Sequence, residues 1–91
     1  QQQFPCSDEI NFKVKDATLV MQHIQQHYQA ELLTLNLLDG LDLIFKDWRL
    51  SLRSSNTEPL LRLNIETRAD RALLLQKISE VSTLITTFDQ K

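Results

Sequence analysis

Between Leu32 and Thr67 the apolar residues fall on every second position, and this period limits the fold more than any other feature of the chain. The run reads Leu33, Leu35 and Leu37, then Leu41, Leu43 and Phe45, then Trp48, Leu50 and Leu52, then Leu61, Leu63 and Ile65. A period of two puts each set on one face of a pleated strand, so the segment predicts four strands. Ile10, Phe12 and Val14 alternate with Asn11 and Lys13 and predict an earlier strand over residues 9–14. On either side of the four-strand run the period changes to that of a helix. Val20, Met21, Ile24 and Tyr28 form one apolar stripe opposite Gln22, Gln25, Gln26 and Gln29; Leu74, Ile78, Val81, Ile85 and Phe88 form another. The order β-α-β-β-β-β-α predicts an α+β fold, an antiparallel four- to five-stranded sheet with both helices on one face.

Caps and turns agree with this division. Asp16 and Asp70 stand where N-caps are needed, each able to accept from the free N–H groups of a first helical turn. Asp39-Gly40, holding the only glycine, is a hairpin signal, because a type I′ turn needs positive φ at both central residues. Lys46-Asp47 predicts the next turn. On the face turned away from the helices, alternation lines up Arg49, Ser51 and Arg53 on one strand and Arg62, Asn64 and Glu66 on the next.

A chain of 91 residues with 42% hydrophobic content supports one core, and no second domain. Residues 1–8, polar, with Pro5 and without periodicity, read as a connector arriving from a preceding domain, which leaves 9–91 as the folded unit. The net charge of −2 disfavours nucleic acid and an anionic membrane surface as partners. No stretch approaches the ~18 apolar residues of a membrane span, and Gln1-Gln2-Gln3 does not open a signal peptide. Cys6, the single cysteine, excludes an internal disulfide, lacks a nearby base, and suits a reducing, cytoplasmic setting.

The segment Arg53-Ser54-Ser55-Asn56-Thr57-Glu58-Pro59 joins two of the predicted strands and is rich in donors. Its serines and threonine offer O–H groups, its backbone N–H groups can converge in a nest, Asn56 tolerates the left-handed conformation that a nest uses, and Arg53 brings a planar fork suited to two phosphate oxygens. By composition alone the segment fits an anion-binding loop and an ordinary solvated turn equally well. Arg62 would share the face of Arg53 or pair with Glu58 or Glu66, and Glu58 would hold the loop as an acceptor. Trp48 alternates with Leu50 and Leu52 and belongs to the core. His23 and His27 have the spacing of a metal pair on a helix but no third ligand, and read as solvated.

The order Arg, any residue, Ser, Asn, Thr, Glu, Pro resembles the phosphate-binding loop in the C-terminal domain of the α-D-phosphohexomutases, in its Asn-containing branch. Asp39-Gly40, Asp47-Trp48-Arg49, Arg53 through Asn64, and Phe4-Pro5-Cys6…Glu9-Ile10-Asn11 extend the likeness over most of the chain, closest to bacterial phosphomannomutases. Asp8 departs from it, standing where the family usually has Gly. The resemblance implies a TATA-binding-protein-like α+β domain, the fourth of an isomerase that interconverts mannose 1-phosphate and mannose 6-phosphate in the supply of GDP-mannose. It assigns Arg53, Ser55, Asn56 and Thr57 to the phosphate that is not transferred, and gives this domain a share in closing the cleft. The phosphoserine and the Mg²⁺ would belong to preceding domains of the same enzyme, leaving this domain without a catalytic residue, a metal or a cofactor, and inactive alone. The alternative is a non-enzymatic interaction module that presents such a sheet to a protein or a nucleic acid.

Overall fold

A computed structural model of the chain describes residues 9–37, 40–55, 57–68 and 70–89. It contains strand β1 (Ile10–Lys13), helix α1 (Ala17–His27), a 3-10 turn at Gln29–Glu31, strands β2 (Thr34–Asn36), β3 (Leu41–Ile44), β4 (Trp48–Ser54) and β5 (Leu60–Thr67), and helix α2 (Arg71–Asp89). The five strands form one sheet in the order β1-β5-β4-β3-β2, every neighbouring pair antiparallel. The chain leaves β1 at one edge, crosses through α1, and re-enters at the opposite edge as β2. It then returns strand by strand until β5 pairs with β1. The α+β architecture expected from periodicity is thus the one observed, with the sheet at five strands.

The caps fall where the aspartates predict. Leu19 N–H donates to the Asp16 carboxylate at 3.2 Å, and Leu73 N–H to that of Asp70 at 2.9 Å. The buried Thr67 hydroxyl donates to the Asp70 carbonyl at 2.8 Å, so β5 hands directly into the cap of α2. At the other turn Phe45 N–H donates to Trp48 C=O at 2.8 Å, closing the two-residue hairpin Lys46-Asp47. In the predicted Asp39-Gly40 turn Asp39 lies outside the described residues, while Gly40 has φ +109°.

Both helices cover the same face. Val20, Ile24, Leu74, Val81 and Ile85 share one buried cluster with Leu41, Leu43, Leu50, Leu52, Leu61, Leu63 and Ile65 of the sheet. Each such aliphatic side chain contributes about 1.5–3 kcal/mol by leaving water. The first apolar triplet behaves differently: Leu33, Leu35 and Leu37 are 67%, 39% and 63% exposed. Alternation sets the side on which they stand, but burial also needs a helix overhead. α1 packs on β4, and the three-residue edge strand β2 lies beyond its cover.

One polar contact joins three elements over the aromatic corner of the core. The rings of Phe45 and Trp48 stack at 4.3 Å, and Tyr28 meets them edge-on at 5.4 and 5.3 Å. The Tyr28 hydroxyl donates to Glu80 Oε1 at 2.7 Å, and Lys77, which sits over the Trp48 ring, donates to the same oxygen at 3.1 Å. Burial, and then the Glu80 carboxylate, raise the Tyr28 phenol far above its ordinary value. Burial pushes Glu80 up, but the hydrogen bonds from Tyr28 and Lys77 outweigh it, and its carboxyl ends below the usual value. A lowered carboxyl stabilises the fold above its unfolded-state pKa, and that contribution disappears as pH falls through the folded-state value. Tyr28→Phe is expected to cost about 1 kcal/mol in urea unfolding at neutral pH. Between about pH 5 and pH 3 the native chain should lose more stability than Glu80→Gln; equal slopes would contradict the account.

Candidate phosphate-binding loop

The β4–β5 ladder carries the predicted anion residues to one end of the open face. Its register pairs Arg49 with Glu66, Ser51 with Asn64 and Arg53 with Arg62, while the intervening residues point into the core. Arg53 is exposed on the penultimate residue of β4, and the register sets it directly across from Arg62. Arg62 pairs with Glu9 at 3.8 Å, not with Glu58 or Glu66, because Glu66 lies two pleats away and faces Arg49 at 4.0 Å.

Residues 55 to 59 close the hairpin through backbone hydrogen bonds. Ser55 N–H donates to Leu60 C=O at 3.1 Å and Leu60 N–H to Glu58 C=O at 2.8 Å; Val14 N–H reaches across from the end of β1 to Pro59 C=O at 2.9 Å. Pro59 has no N–H of its own to place. Within the loop Thr57 N–H donates to Ser55 Oγ at 3.3 Å, and the two hydroxyl oxygens lie 3.5 Å apart. The arrangement is a local side-chain turn. Two of the N–H groups expected in a nest are therefore engaged inside the loop. The Ser55 and Thr57 hydroxyls share one hydrogen bond, which engages the hydrogen of one and leaves that of the other. Asn56, the fourth predicted residue, lies outside the described residues. The Glu58 contribution comes from its backbone carbonyl.

The other sequence candidates resolve into packing. Trp48 is buried, as alternation requires. His23 stacks on Phe88 with ring centroids 4.3 Å apart and is half-buried where the helical pattern suggested a solvated side chain, whereas His27, edge-on to its neighbour Tyr28 at 4.8 Å, stays exposed as expected. Sequence reading missed this because Phe88 is 65 positions from His23 and only the packing of α1 on α2 brings them together. Among the described residues no three His, Cys, Asp or Glu side chains converge as a metal site would require. No helix among them is long and apolar enough to cross a membrane. Cys6 and Asp8 lie outside them.

Comparison with known proteins decides the family. The model of the phosphoglucomutase/phosphomannomutase C-terminal domain matches residues 9–82. The chain belongs to this family. It is 49% identical over 86 residues to a phosphomannomutase of Vibrio cholerae, a match covering 94% of this chain and 19% of that protein. It is 52% identical over 84 residues to a protein of Xanthomonas campestris described as phosphohexose mutases, covering 92% and 19%. The chain thus spans about a fifth of the length of these relatives. A crystal structure of a phosphoglucomutase/phosphomannomutase family protein from Burkholderia thailandensis superposes with a TM-score of 0.63 at 20% identity, over 93% of this chain and 18% of that one, a likeness of fold.

In this C-terminal domain the Ser55–Thr57 contact can be tested directly. Ser55→Ala should speed amide exchange at Thr57 several-fold and lower global stability by less than about 1 kcal/mol, as expected for one exposed hydrogen bond. Unchanged exchange at Thr57 would show that the turn does not hold in solution.

Proposed function

We propose that this domain serves a phosphomannomutase-like enzyme that interconverts mannose 1-phosphate and mannose 6-phosphate, and that its loop grips the phosphate not being transferred. The supporting observation is that Arg53, at the penultimate position of β4, leads directly into the loop whose Ser55 and Thr57 hydroxyls lie side by side, with Arg62 across the ladder. Arg53 supplies the charge-assisted, two-pronged contact; Ser55, Thr57 and the intervening Asn56 supply neutral donors that set the orientation. Fixing one end of a hexose phosphate aligns the other for in-line transfer, and moving the domain onto the cleft would exclude water from the reacting phosphoryl group. The share of this domain is positional and electrostatic. The phosphoserine and Mg²⁺ chemistry would reside on the preceding domains, which are the partners of this one, and the domain alone would not turn over substrate.

The open face supports this reading over a nucleic-acid interface. Arg49 and Arg62 are each answered by a carboxylate, Glu66 and Glu9, and the face carries no aromatic on β4 or β5. A basic stripe for stacking bases is not what these strands present.

Titration of the ¹⁵N-labelled 91-residue chain with mannose 1-phosphate is expected to shift the amides of residues 53 to 57 saturably. Arg53→Ala should weaken that binding by roughly tenfold or more, the worth of one charge-assisted contact. Shifts centred on another surface would overturn the assignment.

A further inference from the structure

The side of Arg53 that faces β3 carries the observation that extends the site. Gly40 stands one residue before Leu41, which pairs with Leu52, so it reaches β4 at the level of Arg53. A methyl group built on Gly40 would lie 2.7 Å from the Leu52 carbonyl oxygen and 3.0 Å from Cγ of Arg53, with the Arg53 Cα at 3.6 Å. The space that any other residue would fill at position 40 is therefore bounded by the stem of the candidate phosphate arginine. On the opposite side of Arg53 the register places Arg62. One neighbour is a second long side chain, and the other is a notch.

The turn conformation alone does not explain this closeness. At φ +109° Gly40 lies beyond the left-handed region that Asn adopts, so glycine is needed for the backbone. A second demand is separate: even a residue forced into that backbone would push its Cβ against the Leu52 carbonyl and the Arg53 stem. The single glycine of the chain thus meets the arginine that the anion site depends on most.

We propose that Gly40 is a positioning residue for the phosphate site: the notch it leaves on β3 seats the aliphatic stem of Arg53 and thereby aims its guanidinium at the loop. This rests on the phosphate reading above and adds to it that Gly40, at the start of β3, controls anion affinity. Holding the stem removes rotamer freedom before the anion arrives, which is where a long side chain otherwise loses affinity.

The test uses the 91-residue chain, inorganic phosphate as ligand, and Gly40→Ala beside a control, Leu41→Ala, which opens a cavity one residue away and destabilises the same strand without filling the notch. Gly40→Ala is expected to weaken phosphate binding by about five- to tenfold at a temperature where both variants are folded, and Leu41→Ala to leave it within about twofold. Equal losses in the two variants, or no loss in Gly40→Ala, would overturn the proposal. Should Gly40→Ala not fold, the native chain decides. A nuclear Overhauser contact between Gly40 Hα and the Arg53 γ protons must persist on saturation with phosphate, and its disappearance would show that the bound arginine does not rest in the notch. The absence of any saturable shift at residues 53 to 57 in the native chain would instead mark failure of the phosphate reading itself.

Discussion

The register of β4 against β5 is the constraint on which the rest depends. Leu50, Leu52, Leu61, Leu63 and Ile65 reach the core because they alternate with Arg49, Ser51, Arg53, Arg62 and Asn64 on the other face. A slip of one residue would put every leucine in water and every arginine under the helices. The hydrophobic effect on one side of the sheet therefore fixes the placement of charge on the other. No polar contact on the open face needs to be strong for the site to form: its ion pairs are exposed and separated by 3.8 Å and 4.0 Å, a class that adds little to stability.

How much of this could be read from the sequence follows from the range of each interaction. Alternation and capping are local, so the strands from Leu41 to Thr67, both helices and the Asp16 and Asp70 caps were legible. Leu33, Leu35 and Leu37 stay exposed because strand periodicity reports a side and not the depth of cover over it. His23 shows a related limit. Its place on the helix is visible in the chain, but the ring it stacks on, Phe88, comes into place only when α2 closes over α1. The hydrogen bonds that lock Tyr28, Lys77 and Glu80 together have the same origin, since 52 residues separate the tyrosine from the carboxylate.

Within the site the same distinction holds. The order of residues 53 to 59 carries the donor types, and alternation puts Arg53 on the open face. The spacing says nothing of which donors the loop itself uses. In the fold Ser55 N–H is bonded to Leu60 and Thr57 N–H to Ser55, which converts two expected ligand contacts into scaffold. Val14, at the end of β1, steadies the exit of the loop through Pro59, a contact between sheet edge and turn that no local motif announces.

That division of labour suits a clamp. Internal bonds keep the hydroxyls of Ser55 and Thr57 adjacent, so in the proposed phosphate role an anion would meet a turn already formed. Ordering that is completed during folding does not have to be repeated on association, and the affinity of a small polar ligand is sensitive to that difference. The sheet then transmits rigidity rather than chemistry. The ladder that buries the leucines also holds Arg53 beside the loop, and in the proposed role a rotation of the domain as a body would carry the two together. A positioning role separated from the reacting groups demands this of a domain: its donors must keep their mutual geometry while their distance from the reaction varies.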